Sequence, residues 1–386
     1  GISPEFIWLR SISEIYPFNP FTAKLVSLED AYNDIESIQW GYSQFGDAGN
    51  NIDISPFSID GEWAINFNTI TNKDGKNIAT TIYMKDDNRN HWFGTNVGYI
   101  LKGVPYSYRL DLLKIGLPFD HVTISYQDKE GNWWFGDSRY KRTGEGISSF
   151  NNMASDTPFI AQWDEESNEW TYYNSKRLKY FKNTDINTIL RLGSTVYFGT
   201  MEGLLFLDLL TEEWNIIDNT HGLNDSAIWD IIEYNNSLYV ATVKGINEIS
   251  IINHSVIPNE NDSYKLLYEY NIYDMDADSN YLYLSTSNGL FQMNWITKKL
   301  TILSKKELKK IKIFNDSIYG TDDILWHIEK GKEEKYITSD VHDFDICSSY
   351  IWSSKKDKAV LLDTRTLQEW EYTQIDGIPG KNIYSI

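Results

Sequence analysis

One short segment returns along most of this chain, and it limits what the sequence can fold into. An aromatic or apolar pair followed by small residues recurs as Trp92-Phe93-Gly94-Thr95, Trp134-Phe135-Gly136-Asp137, Tyr197-Phe198-Gly199-Thr200, Tyr239-Val240-Ala241-Thr242 and Tyr283-Leu284-Ser285-Thr286, with weaker copies at Tyr319-Gly320-Thr321 and Trp352-Ser353-Ser354. Successive copies lie 33 to 44 residues apart, except for 63 between Trp134 and Tyr197. In four copies a glycine follows, at Gly98, Gly203, Gly245 or Gly289, and apolar residues then resume. That pattern reads as strand, glycine turn, strand. A second piece, Gly116-Leu117-Pro118, Gly222-Leu223-Asn224 or Gly377-Ile378-Pro379, precedes the unit, and two copies follow an aromatic strand, Glu213-Trp214-Asn215-Ile216 or Glu369-Trp370-Glu371-Tyr372. The full unit is a four-stranded meander with a period near 40 residues, which predicts an all-β chain folded as a β-propeller of four-stranded blades.

Such a meander cannot bury both faces alone, so blades must pack on one another and the ring must close. Asn382-Ile383-Tyr384-Ser385-Ile386 matches an innermost strand, and Ile7-Trp8-Leu9-Arg10-Ser11 matches the strand that should follow it. The C-terminal strand is therefore expected to complete the first blade. Seven anchors fall between residues 76 and 376, with further candidates at Trp8 and Trp63. Eight blades fit best, with seven and nine as alternatives, because Trp63 and Trp92 are only 29 residues apart. Residues 1–6 read as a cloning remnant, and residues 7–386 as a single propeller domain with an expanded rim loop at 137–158.

Composition removes several functions. The 35 Lys plus Arg against 55 Asp plus Glu give a formal charge of −20, which repels phosphate backbones and disfavours nucleic acid. No apolar run reaches the roughly 18 to 20 residues of a membrane-spanning helix, so no membrane insertion is expected. Cys347 is the single cysteine, Cys/His zinc spacings are absent, and no cofactor is implied. About half of the 14 Trp and a good share of the 26 Tyr fall on blade anchors and adjoining strands, so the aromatic enrichment reads mostly as blade packing rather than sugar stacking.

The unit of Gly-Leu, an inner strand, Asp, a turn, Trp-Phe-Gly-Thr and Gly-Leu resembles the two-component regulator propeller repeat. Its fullest copies run from Gly116 to Asp137, including Asp128-Lys129-Glu130-Gly131-Asn132-Trp133-Trp134-Phe135-Gly136, and from Tyr197 to Asp208. The resemblance covers the chain from about residue 76 onward. It implies a periplasmic or extracellular sensor module, often one that recognises oligosaccharides, either within a longer membrane-anchored receptor or as a secreted protein.

In a propeller, the loops that lead into the inner strands share a rim with the loops between second and third strands, and a site should draw on several blades there. The positions just before the inner strands are Asn51, Asn77, Asp120, His121, Asp225, Ser226, His342, Asp343, Lys381 and Asn382. Asn, Asp and Ser also suit strand starts and turns for local reasons. The loop at 137–158 adds Arg139, Tyr140, Lys141 and Arg142, a basic and aromatic cluster in an acidic chain. These four, with His121, Asn77, Asp225 and Asn382, are the candidate contacts to an anionic or polar ligand. His121 or His342, beside Tyr140 or Arg139, would be the base if the chain were instead a polysaccharide lyase or glycoside hydrolase. Asp274, Asp276 and Asp278 alternate as in a calcium loop, but the turn glycine and the twelfth-position Glu are missing. No metal is therefore expected. The function expected is ligand binding at the rim, with an enzyme or a protein-interaction scaffold as the alternatives.

Overall fold

A computed structural model describes the chain except at residues 1, 2, 4, 11–14, 20–23, 39–53, 60–62, 68, 73, 74, 76, 86, 87, 97, 98, 105–107, 114–116, 118–121, 137–157, 168, 175–184, 259, 330–334, 379–382, 384 and 385. The chain divides into two compact units, residues 1–118 with 169–171, and residues 119–168 with 172–386.

In the first unit, strands Ile7–Arg10, Ile15–Asn19 and Lys24–Leu25 form a three-stranded sheet. Trp8 is buried there with Phe6 and Ala31. Its Nε1 donates to Ser3 Oγ at 2.8 Å, and Ser3 Oγ donates in turn to Asp34 Oδ2 at 2.7 Å, so Ser3 and Phe6 belong to this packing. The second sheet of the unit has six strands, from Trp63–Asn66 to Arg109–Leu113. The strand Asn77–Lys85 makes this possible, because its residues 77–79 pair with the preceding hairpin and its residues 80–85 with the following strand. Trp63 and Trp92, which are too closely spaced to anchor two full blades comfortably, stand in one sheet.

The second unit holds six four-stranded antiparallel sheets in chain order, each strand bonded to the next. Their first strands are Ile124–Gln127, Ile186–Leu192, Ile228–Tyr234, Ile272–Ala277, Lys310–Phe314 and Asp343–Cys347, and consecutive first strands lie side by side. Consecutive meanders packed through their first strands are blades, and the fold is a β-propeller. The repeat anchors Trp134, Tyr197, Tyr239, Tyr283, Tyr319 and Trp352 all stand on second strands. The small residue inside the anchor has a packing reason. A Cβ on Gly136 would lie 2.7 Å from Ile186 Cβ, and one on Gly199 would lie 2.7 Å from Ile228 Cγ2, so each inner strand packs directly on the glycine of the blade before it. Trp134 and Phe198 then meet edge to face at 5.8 Å within the core between the first two sheets.

Three of the inner strands carry a one-residue bulge near their start, at Ile186/Thr188, Ile228/Asp230 and Ile272/Asp274. Past the bulge, carboxylates stitch neighbouring inner strands together. Asp230 Oδ2 accepts the Met275 N–H at 2.9 Å, and Asp274 Oδ2 accepts the Ile311 N–H at 2.7 Å. The Ile386 N–H likewise donates to Asp343 Oδ2 at 3.0 Å, on the sixth inner strand. Ring closure by residues 382–386 involves positions 382, 384 and 385, which lie outside the described residues.

Candidate functional site

The register places the start of every inner strand opposite the end of its second strand, as in Ile186 with Thr200, Ile228 with Thr242 and Ile272 with Thr286. Loops into the inner strands and turns between second and third strands therefore share one edge of each sheet, as the repeat predicts. The turns are built alike. Thr200, Thr242 and Thr286 are fully buried, and each Oγ1 donates to the carbonyl of the glycine three residues on, at 2.7 to 2.9 Å. The same oxygens accept the N–H groups of Glu202, Lys244 and Asn288 at 3.0 to 3.1 Å. In the fifth sheet, Thr321 accepts the N–H of Asp323 at 3.2 Å. One scaffold thus presents Glu202, Lys244, Asn288 and Asp323 at equivalent rim positions.

Asp225 stands beside this row. It caps the strand start through the Ala227 N–H at 3.0 Å and faces Lys244 Nζ at 3.5 Å. Ser226 Oγ accepts the Asn219 N–H at 3.2 Å. Asn77, in the first unit, is exposed and accepts from Thr71 Oγ1 at 2.6 Å. His342 is exposed, and its backbone N–H bonds the Ser354 carbonyl. Asn51, Asp120, His121, Arg139, Tyr140, Lys141, Arg142, Lys381 and Asn382 lie outside the described residues. Of the expanded rim loop expected at 137–158, only Pro158 is among the described residues, and it begins the strand Pro158–Asp164.

Below the rim runs a charged line that the strand-start reading missed. Lys310 Nζ lies 2.5 Å from Asp343 Oδ1, and Lys312 Nζ lies 3.8 Å from Asp345 Oδ1. Asp276 Oδ2 accepts the Ile313 N–H at 2.6 Å, and Asp230 Oδ1 accepts from Thr188 Oγ1 at 3.1 Å. Burial alone would depress the Lys312 ammonium, but Asp345, Asp276, Asp274 and Asp230 outweigh it and hold the group above the ordinary lysine range. Burial pushes Asp276 up despite its bonds from the Ile313 and Ala277 N–H groups. The signal for this line was in the sequence: charges alternate along Asp274-Met275-Asp276, Lys310-Ile311-Lys312 and Asp343-Phe344-Asp345, which puts them on one face of each strand.

Of the calcium-like trio, Asp274 and Asp276 are strand residues bonded to neighbouring amides, and only Asp278 lies in the turn, where it accepts from the N–H groups of Asn280 and Tyr281 and from Tyr283 Oη. No cluster of three metal-ligating side chains occurs among the described residues. Four other histidines have structural partners. His91 Nδ1 bonds Tyr83 Oη at 2.9 Å, and His221 caps a helical turn through Asp218 at 2.8 Å. His254 stacks on Phe206 at 4.3 Å, and His327 stacks on Tyr319 at 4.7 Å.

No family model matches the chain, and no curated protein matches it. It is similar to solved structures. One is reported as the extracellular domain of a hybrid two component system from B. thetaiotaomicron, with 16% identity, TM-score 0.48, and coverage of 70% of this chain and 38% of that one. Another is reported as the extracellular domain of a one component system from the same organism, with 14% identity, TM-score 0.48, and coverage of 98% and 61%. A streptogramin B lyase is similar at 13% identity and TM-score 0.46, with coverage of 67% and 85%. The chain thus spans less than two thirds of either extracellular domain, and likeness at this level assigns no activity.

Proposed function

We propose that this chain is a ligand-binding propeller of the sensor type, working in the periplasm or outside the cell and taking an oligosaccharide or other polar ligand at the rim. One observation carries the reading: a buried threonine two residues back accepts the N–H of Glu202, Lys244, Asn288 and Asp323 at equivalent rim positions, a glycine completes the turn in the first three, and the presented groups are carboxylates, an ammonium and an amide. A constant frame with varied presented groups suits recognition. The resemblance of the repeat to two-component regulator propellers supports the sensor role and the location.

Binding without turnover is favoured because the carboxylates below the rim are engaged by amides or lysines, as at Asp230, Asp274, Asp276 and Asp343. His342 has no carboxylate partner among the described residues. Arg139, Tyr140, Lys141, Arg142 and His121 complete the proposed ligand contacts. The test is a glycan panel screened by thermal shift, repeated on a triple variant Glu202→Ala, Asn288→Ala, Asp323→Ala. Loss of the shift with an unchanged melting temperature supports the rim. A shift of the same size in the variant contradicts it.

A further inference from the structure

The third sheet departs from the repeat after its short last strand, Val256–Ile257. Before the next inner strand begins at Ile272, the chain forms the helix Asp262–Leu267. The helix end is seated on Gly245, where a Cβ would lie 2.9 Å from the Leu267 carbonyl oxygen. Under this helix a cavity of about 350 Å³ opens between its Tyr264, Lys265 and Tyr268 and the strand residues Asn247 and Glu248. That size is at the low end of ligand pockets, which run from roughly 300 to 1,000 Å³.

The wall is built, not incidental. Asn247 is 6% exposed, and its Oδ1 accepts the Asn224 N–H at 3.0 Å, which leaves its Nδ2 unclaimed among the described residues. Behind Glu248, Lys298 Nζ donates to Tyr239 Oη at 3.0 Å. Burial, and after it the charge and hydrogen bond of Glu248, push the Tyr239 phenol well up, so the carboxylate is held in place from behind. Tyr268, 45% exposed, stands at the lip. Val256 and Pro258 supply an apolar side.

We infer that this cavity is a binding site for a small neutral polyhydroxylated molecule of one or two sugar rings. The Asn247 amide donor suits a ring hydroxyl, and Tyr268 with the Val256 and Pro258 side suits the apolar face of a ring. With Glu248 and Lys265 both on the wall, neither an anion nor a cation is favoured by net charge. The site uses none of the residues of the rim reading and stands without it.

The test is isothermal titration of the full chain with glucose, galactose, mannose, N-acetylglucosamine, lactose, maltose and cellobiose. At least one is expected to bind at one site, with affinity falling about tenfold or more in both Tyr268→Ala and Asn247→Ala. Tyr268 is partly exposed, so its variant keeps the test valid if Asn247→Ala is unstable. The rim triple variant is expected to leave this binding unchanged. The inference is overturned if no sugar binds at millimolar concentration, if binding survives Tyr268→Ala intact, or if only the rim variant removes it.

Discussion

Arg191 Nη1 lies 2.5 Å from Asp128 Oδ2, joining the inner strand of the second sheet to the turn of the first. Asp128 is 5% exposed and also takes the Trp134 indole N–H at 3.0 Å. Burial alone would raise the Asp128 carboxyl, but the bonds from Trp134, Arg191 and the Asn132 N–H outweigh it and hold the group below the usual carboxylate range. Asp128→Ala leaves the buried Trp134 indole N–H without its acceptor, while Arg191 keeps Glu130 Oε2 at 3.2 Å, and is expected to lower stability by about 1 to 3 kcal/mol in urea unfolding. A loss under about 1 kcal/mol, the value of an exposed pair, would contradict this account.

The same carboxyl gives a pH signature. Because its folded pKa is depressed, its contribution to stability is present above the unfolded value of about 3.9 and disappears as pH falls through the folded value. Asp276 has the opposite sign, because its raised folded pKa makes ionisation above the unfolded value a cost to folding. Asp276→Asn is expected to be neutral or slightly stabilising at pH 7, whereas Asp128→Asn is expected to destabilise. Melting curves of both variants at acidic and neutral pH distinguish the two signs.

The rim turns should be sensitive at their hidden positions and tolerant at their presented ones. Gly289 has φ +106°, and a Cβ there would run into the Ser304 carbonyl oxygen. Gly289→Ala is expected to cost about 1 to 3 kcal/mol or more, and Thr286→Val about 1 to 2 kcal/mol through two lost hydrogen bonds. Asn288→Ala, at an exposed position between them, should change stability by no more than about 0.5 kcal/mol. Equal costs at all three positions would remove the distinction between scaffold and presented group.

Lys312 is the cation that the inner-strand carboxylates share. Replacing it by Met removes the cation that favours the Asp276 carboxylate and lies 3.8 Å from Asp345 Oδ1. Lys312→Met is expected to lower the melting temperature at pH 7 and to recover part of the loss as pH falls and the raised Asp276 carboxyl takes up a proton. A loss independent of pH would mean that Lys312 acts through packing alone.

The repeat was legible because blade packing repeats its demands. Each anchor needs an aromatic residue between sheets and, at Gly136 and Gly199, a residue small enough for the next inner strand. Strand order and turn positions followed from that. The six-stranded sheet was not legible, because no repeat marks that Asn77–Lys85 is long enough to pair on both halves. Nor was the cavity under Asp262–Leu267, whose walls come from four segments brought together only by the fold. The alternating charges of the inner strands were in plain view, but their partners sit 33 to 45 residues away, as for Lys310 with Asp343 and Asp230 with Met275.

The basic segment Arg139-Tyr140-Lys141-Arg142 is the proposed source of cationic contacts in a chain of net charge −20. Changing Arg139, Lys141 and Arg142 together to Ala is expected to weaken an anionic or polar glycan about tenfold or more, with a smaller salt dependence of binding. Affinity and salt dependence both unchanged would separate this loop from the site.

The most direct measurement of the central claim is a product assay on every glycan that shifts the melting temperature, followed over hours at saturating ligand. The expected result is a stable complex with the glycan recovered intact. Accumulation of unsaturated or shortened saccharide, abolished by His342→Ala or His121→Ala, would make the chain an enzyme and contradict the binding reading.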